Sequence, residues 1–321
     1  MIIKQNPEDF IVEEISTVKP KKSGDYTYIQ LKKTNWTTQR AIQQVARNLR
    51  VSKTRIGFAG NKDKNAITTQ VCSIWKINPE QVKYLHIKDI EVKVLGQGDE
   101  RINLGELESN RFNITIRDVS SEELANLKKN VPKIKKEGFA NIFGRQRFGT
   151  AGNTHKIGNA IVNGNLKEAV KLFLTEHGDN ERAQEFGKYT RRHWGDWKKV
   201  INECPKFLGL EKAVLNWLVR YPKDFGGSLR NIPKPTRRIF ISAYQSAIWN
   251  KEAEKSTKDV IVIPPLEIQR MPELNMLGTE RQRVIKPKNL KFKISKDVVT
   301  LNFDLQKGSY ATVLIDSLFN S

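Results

Sequence analysis

Gly60-Asn61-Lys62-Asp63-Lys64-Asn65-Ala66-Ile67-Thr68-Thr69-Gln70 sets one carboxylate, Asp63, between two lysines in a glycine-started turn. The turn follows Ile56-Gly57-Phe58-Ala59. It runs into residues 68–75, whose β-branched and aromatic side chains predict a strand. The flanking cations favour the ionised form of the carboxylate. Such a segment reads either as a solvated turn of mixed charge or as a reactive carboxylate at the entrance to a strand. The turn alone does not separate the two.

On either side of it, residues 11–15 and 26–31 read as strands, and residues 91–95 and 112–117 alternate with period two. Thr37 is a candidate N-cap for a helix in which Ala41, Ile42, Val45, Ala46 and Leu49 share one face. Ser120 and Glu123 form a capping box for a helix expected to end or kink near Asn130, ahead of Pro132. The first half is therefore mixed α and β, with strand runs that suggest antiparallel pairing.

From about residue 150 to 236 the pattern turns helical. Ile157, Ala160, Ile161, Leu166, Ala169, Val170 and Phe173 predict helical hairpins, and residues 210–221 another helix. Residues 189–199 interleave Tyr189, Arg191, Arg192, His193, Trp194, Trp197, Lys198 and Lys199. That pattern suits either a nucleic-acid contact or an amphipathic helix with its tryptophans in the core. Residues 239–250 are apolar nearly all round and predict a buried helix. Strands are expected again at 298–305 and 310–315, on either side of a turn at Lys307-Gly308-Ser309. The order suggests a core domain interrupted by an insertion.

The 321 residues include 56 Lys and Arg against 35 Asp and Glu, a formal net charge of +21. A surplus of that size points to a polyanionic partner, of which RNA or DNA is the usual one. Cys72 and Cys204 are the only cysteines, which excludes a disulfide framework and a cysteine-based zinc site. His86, His155, His177 and His193 are scattered, and only His155 falls near a candidate site. No apolar run approaches the roughly 18 residues of a membrane span, and the N-terminus lacks a secretory h-region. A soluble, cytoplasmic protein without membrane association is expected. Nothing in the sequence asks for an obligate protein partner.

Asn141-Ile142-Phe143-Gly144-Arg145-Gln146-Arg147-Phe148-Gly149 places two arginines, a glutamine and a phenylalanine between two glycines. Arginines in such a turn can hold phosphates, and a phenylalanine can stack on a base. A tight turn with two core phenylalanines explains part of the same pattern. Further polar segments accompany it. They are Lys4-x-x-Pro7-Glu8-Asp9-Phe10-x-Val12-x-Glu14, Ala59 to Ala66 with Thr68 and Gln70, and Gly105-x-Leu107 through Asn110-x-Phe112. Ser242-Ala243-x-Gln245-Ser246-x-x-x-Asn250 and Lys307-Gly308-Ser309-Tyr310-Ala311-Thr312 complete the set. In this order, over essentially the whole chain, they resemble the TruD family of tRNA pseudouridine synthases. Ser109 departs from the glycine often found there, and Ile142 from a common aromatic.

The resemblance implies an α+β fold. Residues 1–149 and 296–321 would form the pseudouridine synthase catalytic domain, a mixed, mostly antiparallel sheet with flanking helices. Residues 150–295 would form a mainly helical inserted TRUD domain, and the molecule would be V-shaped. It also implies isomerisation of uridine in tRNA, at position 13 of the D-arm by family analogy, with neither metal nor organic cofactor. Matching the motifs residue by residue places the catalytic aspartate at Asp63 and its lysine partner at Lys4. Asn141 and Phe143 match residues that hold and stack the flipped base, and Phe10 matches a further pocket residue. Asn61, Lys62, Gln146 and Arg147 are the remaining candidate substrate contacts. Two other readings stay open on sequence: an RNA-binding protein without catalysis, and a metal-dependent nuclease, which needs clustered carboxylates.

Overall fold

The computed structural model describes residues 1–320. The chain divides into two compact units, Met1–Phe139 with Ile285–Ser321, and Ala140–Val284. These limits differ from the borders expected at 149/150 and 295/296. Strand Lys288–Ser295 belongs to the sheet of the first unit, and residues 141–149 bond to a helix of the second.

The first unit is built on strands β1 (Phe10–Ser16), β2 (Tyr26–Thr34), β3 (Ile67–Trp75), β4 (Ile90–Gly98), β5 (Leu107–Arg117), β6 (Lys288–Ser295) and β7 (Val298–Gln306). They lie in the order β6-β7-β5-β1-β3-β2-β4, and short strands at Ile2–Ile3 and Ile56–Phe58 add to β5 and β3. Every neighbouring pair on this path is antiparallel except β1 and β3. These two run parallel, with Ile11 opposite Ile67 and Glu13 opposite Thr69. The fold is thus α+β around a mixed, mostly antiparallel sheet with flanking helices.

Helix α1 (Thr38–Asn48) is capped at Thr37, whose side chain accepts from the Arg40 backbone N–H. It buries Ala41, Ile42, Val45 and Ala46 against Ile29, Leu31, Cys72 and Ile74 of the sheet. The rings of Phe10, Phe112 and Phe303 run across β1, β5 and β7, with centroids 6.2 and 5.2 Å apart. Both cysteines are free and buried.

Two expectations fail in this unit. Helix α2 (Ser121–Glu137) keeps its capping box but continues through Pro132 to Gly138. Its buried face, Leu127, Val131 and Ile134, spans the proline. Packing of that face outweighs one lost backbone hydrogen bond. Residues 310–315 are not a strand. Ala311–Phe319 is a helix that buries Ala311, Leu314, Ile315, Leu318 and Phe319. The Asn126 and Asn130 amides of α2 donate to the carbonyls of Phe319 and Leu318. Tertiary packing on α2 overrides the β-propensity of Val313 and Ile315.

The second unit is mainly helical. Its longest helix, Lys234–Lys255, packs against Thr154–Val162. Gly158 permits that approach: a Cβ there would sit 2.1 Å from the Phe240 carbonyl oxygen. The 239–250 stretch buries Phe240, Ile241, Ala243 and Trp249, while Ile239 is exposed. Of the two readings of residues 189–199, the tryptophans follow the core one. Trp197 is buried, donates its indole N–H to the Pro222 carbonyl, and packs edge-on against Trp194.

Candidate active site

Parallel pairing of β1 and β3 decides what meets at the Asp63 turn. Chain segments that enter two parallel strands lie at the same end of the sheet. Lys4 to Asp9 leads into β1, and Gly60 to Ala66 leads into β3. Strand β2, antiparallel to β3, ends there too, with Lys33 opposite Thr68 and Thr34 opposite Ile67. Residues far apart in sequence are thereby brought to one place.

Lys4 Nζ lies 3.4 Å from Asp63 Oδ2. The same ammonium sits 3.8 Å above the centroid of the Phe10 ring, which is fully buried. A cation over an aromatic face is held electrostatically by the ring quadrupole. Lys4 has φ +62°, a left-handed conformation uncommon for a residue with a Cβ. The Asp63 side chain is 41% exposed, so the carboxylate is both paired and reachable.

The backbone of the turn is fastened from beneath. Lys33 is completely buried, and its ammonium donates to the Asp63 carbonyl at 2.7 Å and the Trp36 carbonyl at 2.5 Å. The Lys62 backbone N–H donates to Thr38 Oγ1, that hydroxyl donates to Gln70 Oε1, and Gln70 Nε2 donates to the Gly60 carbonyl. These three bonds close a circuit around the turn. Further back, Lys307 Nζ donates to the Gly105 carbonyl and the Gly105 N–H donates to the Ala59 carbonyl. Three of the sequence segments noted above converge through these contacts.

Lys62 does not pair with Asp63. Its side chain is 7% exposed, and the ammonium lies 2.8 Å from Glu14 Oε2 and donates to Asn110 Oδ1 at 2.6 Å. The other Glu14 oxygen accepts from the Val71 N–H. Asn61 is exposed beside α1, where Gln39 Nε2 reaches its side-chain oxygen at 3.5 Å.

The second unit holds the remaining candidates. The Phe143 backbone is gripped by Asn250: the N–H donates to Oδ1 at 2.8 Å and the carbonyl accepts from Nδ2 at 3.0 Å. Its ring meets Trp249 edge-on at 5.7 Å, and the Arg281 guanidinium lies over it at 4.2 Å. Asn141 is buried. Its oxygen accepts from Arg281 at 2.5 Å and its amide donates to the Gln282 carbonyl at 3.0 Å. Arg147 Nε donates to Ser246, and Gln146 is exposed. His155 packs edge-on against Phe148, and burial lowers its pKa.

Lys33 is the residue that sequence reasoning missed. The signal was present: Thr27, Ile29, Leu31 and Lys33 alternate along β2 and all face inward. A lysine at an inward position needs a partner. Glu14 was legible as a motif residue but not as the partner of Lys62.

The family model of tRNA pseudouridine synthase D (TruD) matches residues 1–264 and 257–318. The chain belongs to the TruD family. A Methanosarcina acetivorans relative, named "Probable tRNA pseudouridine synthase D", is 40% identical over 258 residues, covering 77% of this chain. The chain spans 58% of the length of that relative. An Aquifex aeolicus tRNA pseudouridine synthase D is 32% identical over 253 residues, covering 78% of this chain and 64% of its own. Among solved structures, a Methanosarcina mazei protein assigned to tRNA pseudouridine synthase D (TruD) superposes with a TM-score of 0.79 at 28% identity. That match covers 99% of this chain and 93% of the other. Among the described residues of this TruD family member, no helix is long and apolar enough to cross a membrane.

Proposed function

We propose that this chain isomerises uridine to pseudouridine in tRNA, at position 13 of the D-arm, with Asp63 as its single catalytic carboxylate. The observation that carries the reading is the Lys4–Asp63 pair: an accessible carboxylate beside a cation, on a turn whose backbone is clamped by a buried lysine. The net charge of +21 suits a polyanionic substrate.

In the reaction the uracil N1–C1′ bond breaks and a C5–C1′ bond forms. C5 loses a proton and N1 gains one, so no oxidant or second substrate is consumed. Asp63 acts as a nucleophile at C1′ or at the pyrimidine ring, or as a base at C2′. Each route needs the carboxylate ionised and held still. Lys4 supplies the counter-charge, Phe10 holds Lys4 in place, and Lys33 with the Thr38–Gln70 circuit fixes the backbone. Lys62 supports the turn through Glu14, and Asn61 contacts RNA at the turn's exposed edge. From the second unit we assign Phe143 to stacking on a base, which offsets part of the few kcal/mol needed to unstack a nucleotide. Asn141 fixes Arg281 over that ring, and Gln146 and Arg147 contact the RNA.

The test is incubation of the purified chain with unmodified tRNA, followed by mapping of pseudouridine at nucleotide resolution. One new pseudouridine, at position 13, is expected. Binding of tRNA with every uridine unchanged would reject the reaction. Conversion at another position would reject only the assigned target.

A further inference from the structure

A second surface of the first unit carries chemistry that the Asp63 turn does not use. Trp36, Arg40, Gln43, Gln44 and Arg47 line a groove of about 320 Å3 along α1. Positions 40, 43, 44 and 47 recur at intervals of three and four, which puts them on one helix face. Arg40, Gln43 and Arg47 are exposed, and Trp36 and Gln44 are half-buried. The opposite face of α1 is the one packed on the sheet. The helix sequence, TQRAIQQVARN, contains no carboxylate. Among the described residues neither the Arg40 nor the Arg47 guanidinium forms an ion pair. Packing of the fold does not require these two cations.

The groove is tied to the Asp63 turn. Lys33, which clamps the Asp63 carbonyl, clamps the Trp36 carbonyl with the same ammonium. Gln39 of α1 reaches Asn61 of the turn. The Trp36 end of the groove is therefore fastened to the same lysine as the Asp63 turn.

We propose that this face of α1 docks a single-stranded stretch of the substrate RNA. Arg40 and Arg47 meet phosphates, Trp36 stacks on a base, and the Gln43 and Gln44 amides bond to base edges or sugar hydroxyls. Single strands are recognised by this combination of cations and aromatic rings. Charge complementarity selects a polyanion. An acidic peptide would satisfy the arginines alone, whereas the ring and the two amides match a nucleobase. The proposal rests on tRNA being the substrate, and it adds where along the first unit that RNA is held.

The experiment measures tRNA affinity as a function of salt for wild type, R40Q/R47Q, Trp36→Leu and a control, K133Q/K136Q. The control removes two exposed cations from α2. R40Q/R47Q is expected to bind about tenfold more weakly near 0.1 M salt. The slope of log K against log salt should shrink by about 1.4, since each lost phosphate contact on a single strand removes roughly 0.7. Trp36→Leu keeps an apolar side chain against the core, so it tests stacking without emptying the site. It should weaken binding about fivefold or more. In steady state both losses should appear in KM more than in kcat. Unchanged affinity in R40Q/R47Q, an equal loss in the control, or an acidic polyglutamate peptide that binds the face without competing with tRNA would each overturn the proposal. Conversion of tRNA by wild type with no effect of these variants would sink the docking face alone. Weakened binding by the variants with no conversion by wild type would sink the reaction and leave the docking face standing.

Discussion

The Lys33 ammonium donates to the backbone carbonyl of Asp63 at 2.7 Å from a position with no solvent exposure. An interior cation is costly unless it is fully bonded. Here it spans two carbonyls, those of Asp63 and Trp36, and so joins the end of β2 to the turn before β3. Burial pulls the pKa of Lys33 down to about 8; the nearby Asp63 carboxylate opposes that fall and Lys62 reinforces it.

Replacing Lys33 by Met should slow the reaction far more than it weakens RNA binding. The substitution removes the lysine donor from two part-buried carbonyls, each lost bond worth about 1 kcal/mol. The turn then shifts, and a misplacement of about 1 Å at a reacting group can cost roughly 100-fold in rate. Single-turnover rates and tRNA affinity measured together check this. A rate within about twofold of wild type would remove Lys33 from the account.

The same lysine gives a pH signature with two opposite signs. Its folded-state pKa, about 8, lies below the ordinary 10.5. Between those values the unfolded chain binds more protons, so this residue's contribution to stability rises with pH through the window. The clamp meanwhile loses its charge and donates more weakly. Activity should therefore decline above pH 8 without a matching loss of stability. In Lys33→Met the already slow rate should be flat across that window. Identical alkaline limbs in both proteins would contradict the assignment.

Glu14 and Lys62 form a buried pair, with side-chain exposures of 0% and 7%. Glu14→Ala strands the Lys62 ammonium and removes the acceptor for the Val71 N–H. Breaking one side of a buried pair costs about 3–5 kcal/mol. Denaturant unfolding should show a loss of that order, and Glu14→Gln, whose single amide oxygen can still accept from the Val71 N–H, should lose less. Equal, small effects would mean that solvent replaces Glu14.

Asp9 accepts a forked pair of bonds from Arg117 and one from the Asn6 N–H. The Arg117 guanidinium holds its carboxyl below the usual range. A depressed folded-state pKa stabilises the fold above the unfolded value of about 3.9, and that contribution is lost as pH falls below it. Asp9→Asn should cost about 1–3 kcal/mol at neutral pH and flatten part of the acid unfolding curve. An unaltered acid limb would show that other carboxylates carry it.

Much of the sheet was legible because β4 and β5 alternate in sequence and β1 and β2 carry short runs of strand-forming residues. The parallel join of β1 to β3 was not, since it depends on pairing between distant segments that no local pattern records. It is also the feature that brings Lys4 to Asp63. Val313 and Ile315 misled because a run of six residues fits either period, and only packing on α2 selects the helix. Asp63 and Lys4 stood out as motif residues, whereas Lys33 passed as one more surface lysine in a chain with 56 basic residues.

Asp63→Asn in a single-turnover assay with unmodified tRNA tests the central assignment most directly. The substitution keeps the size of the side chain and the carbonyl bonded by Lys33, and removes only the charge beside Lys4. The account predicts tRNA affinity within about threefold of wild type and no pseudouridine formed. Conversion by the variant at the wild-type rate would contradict it.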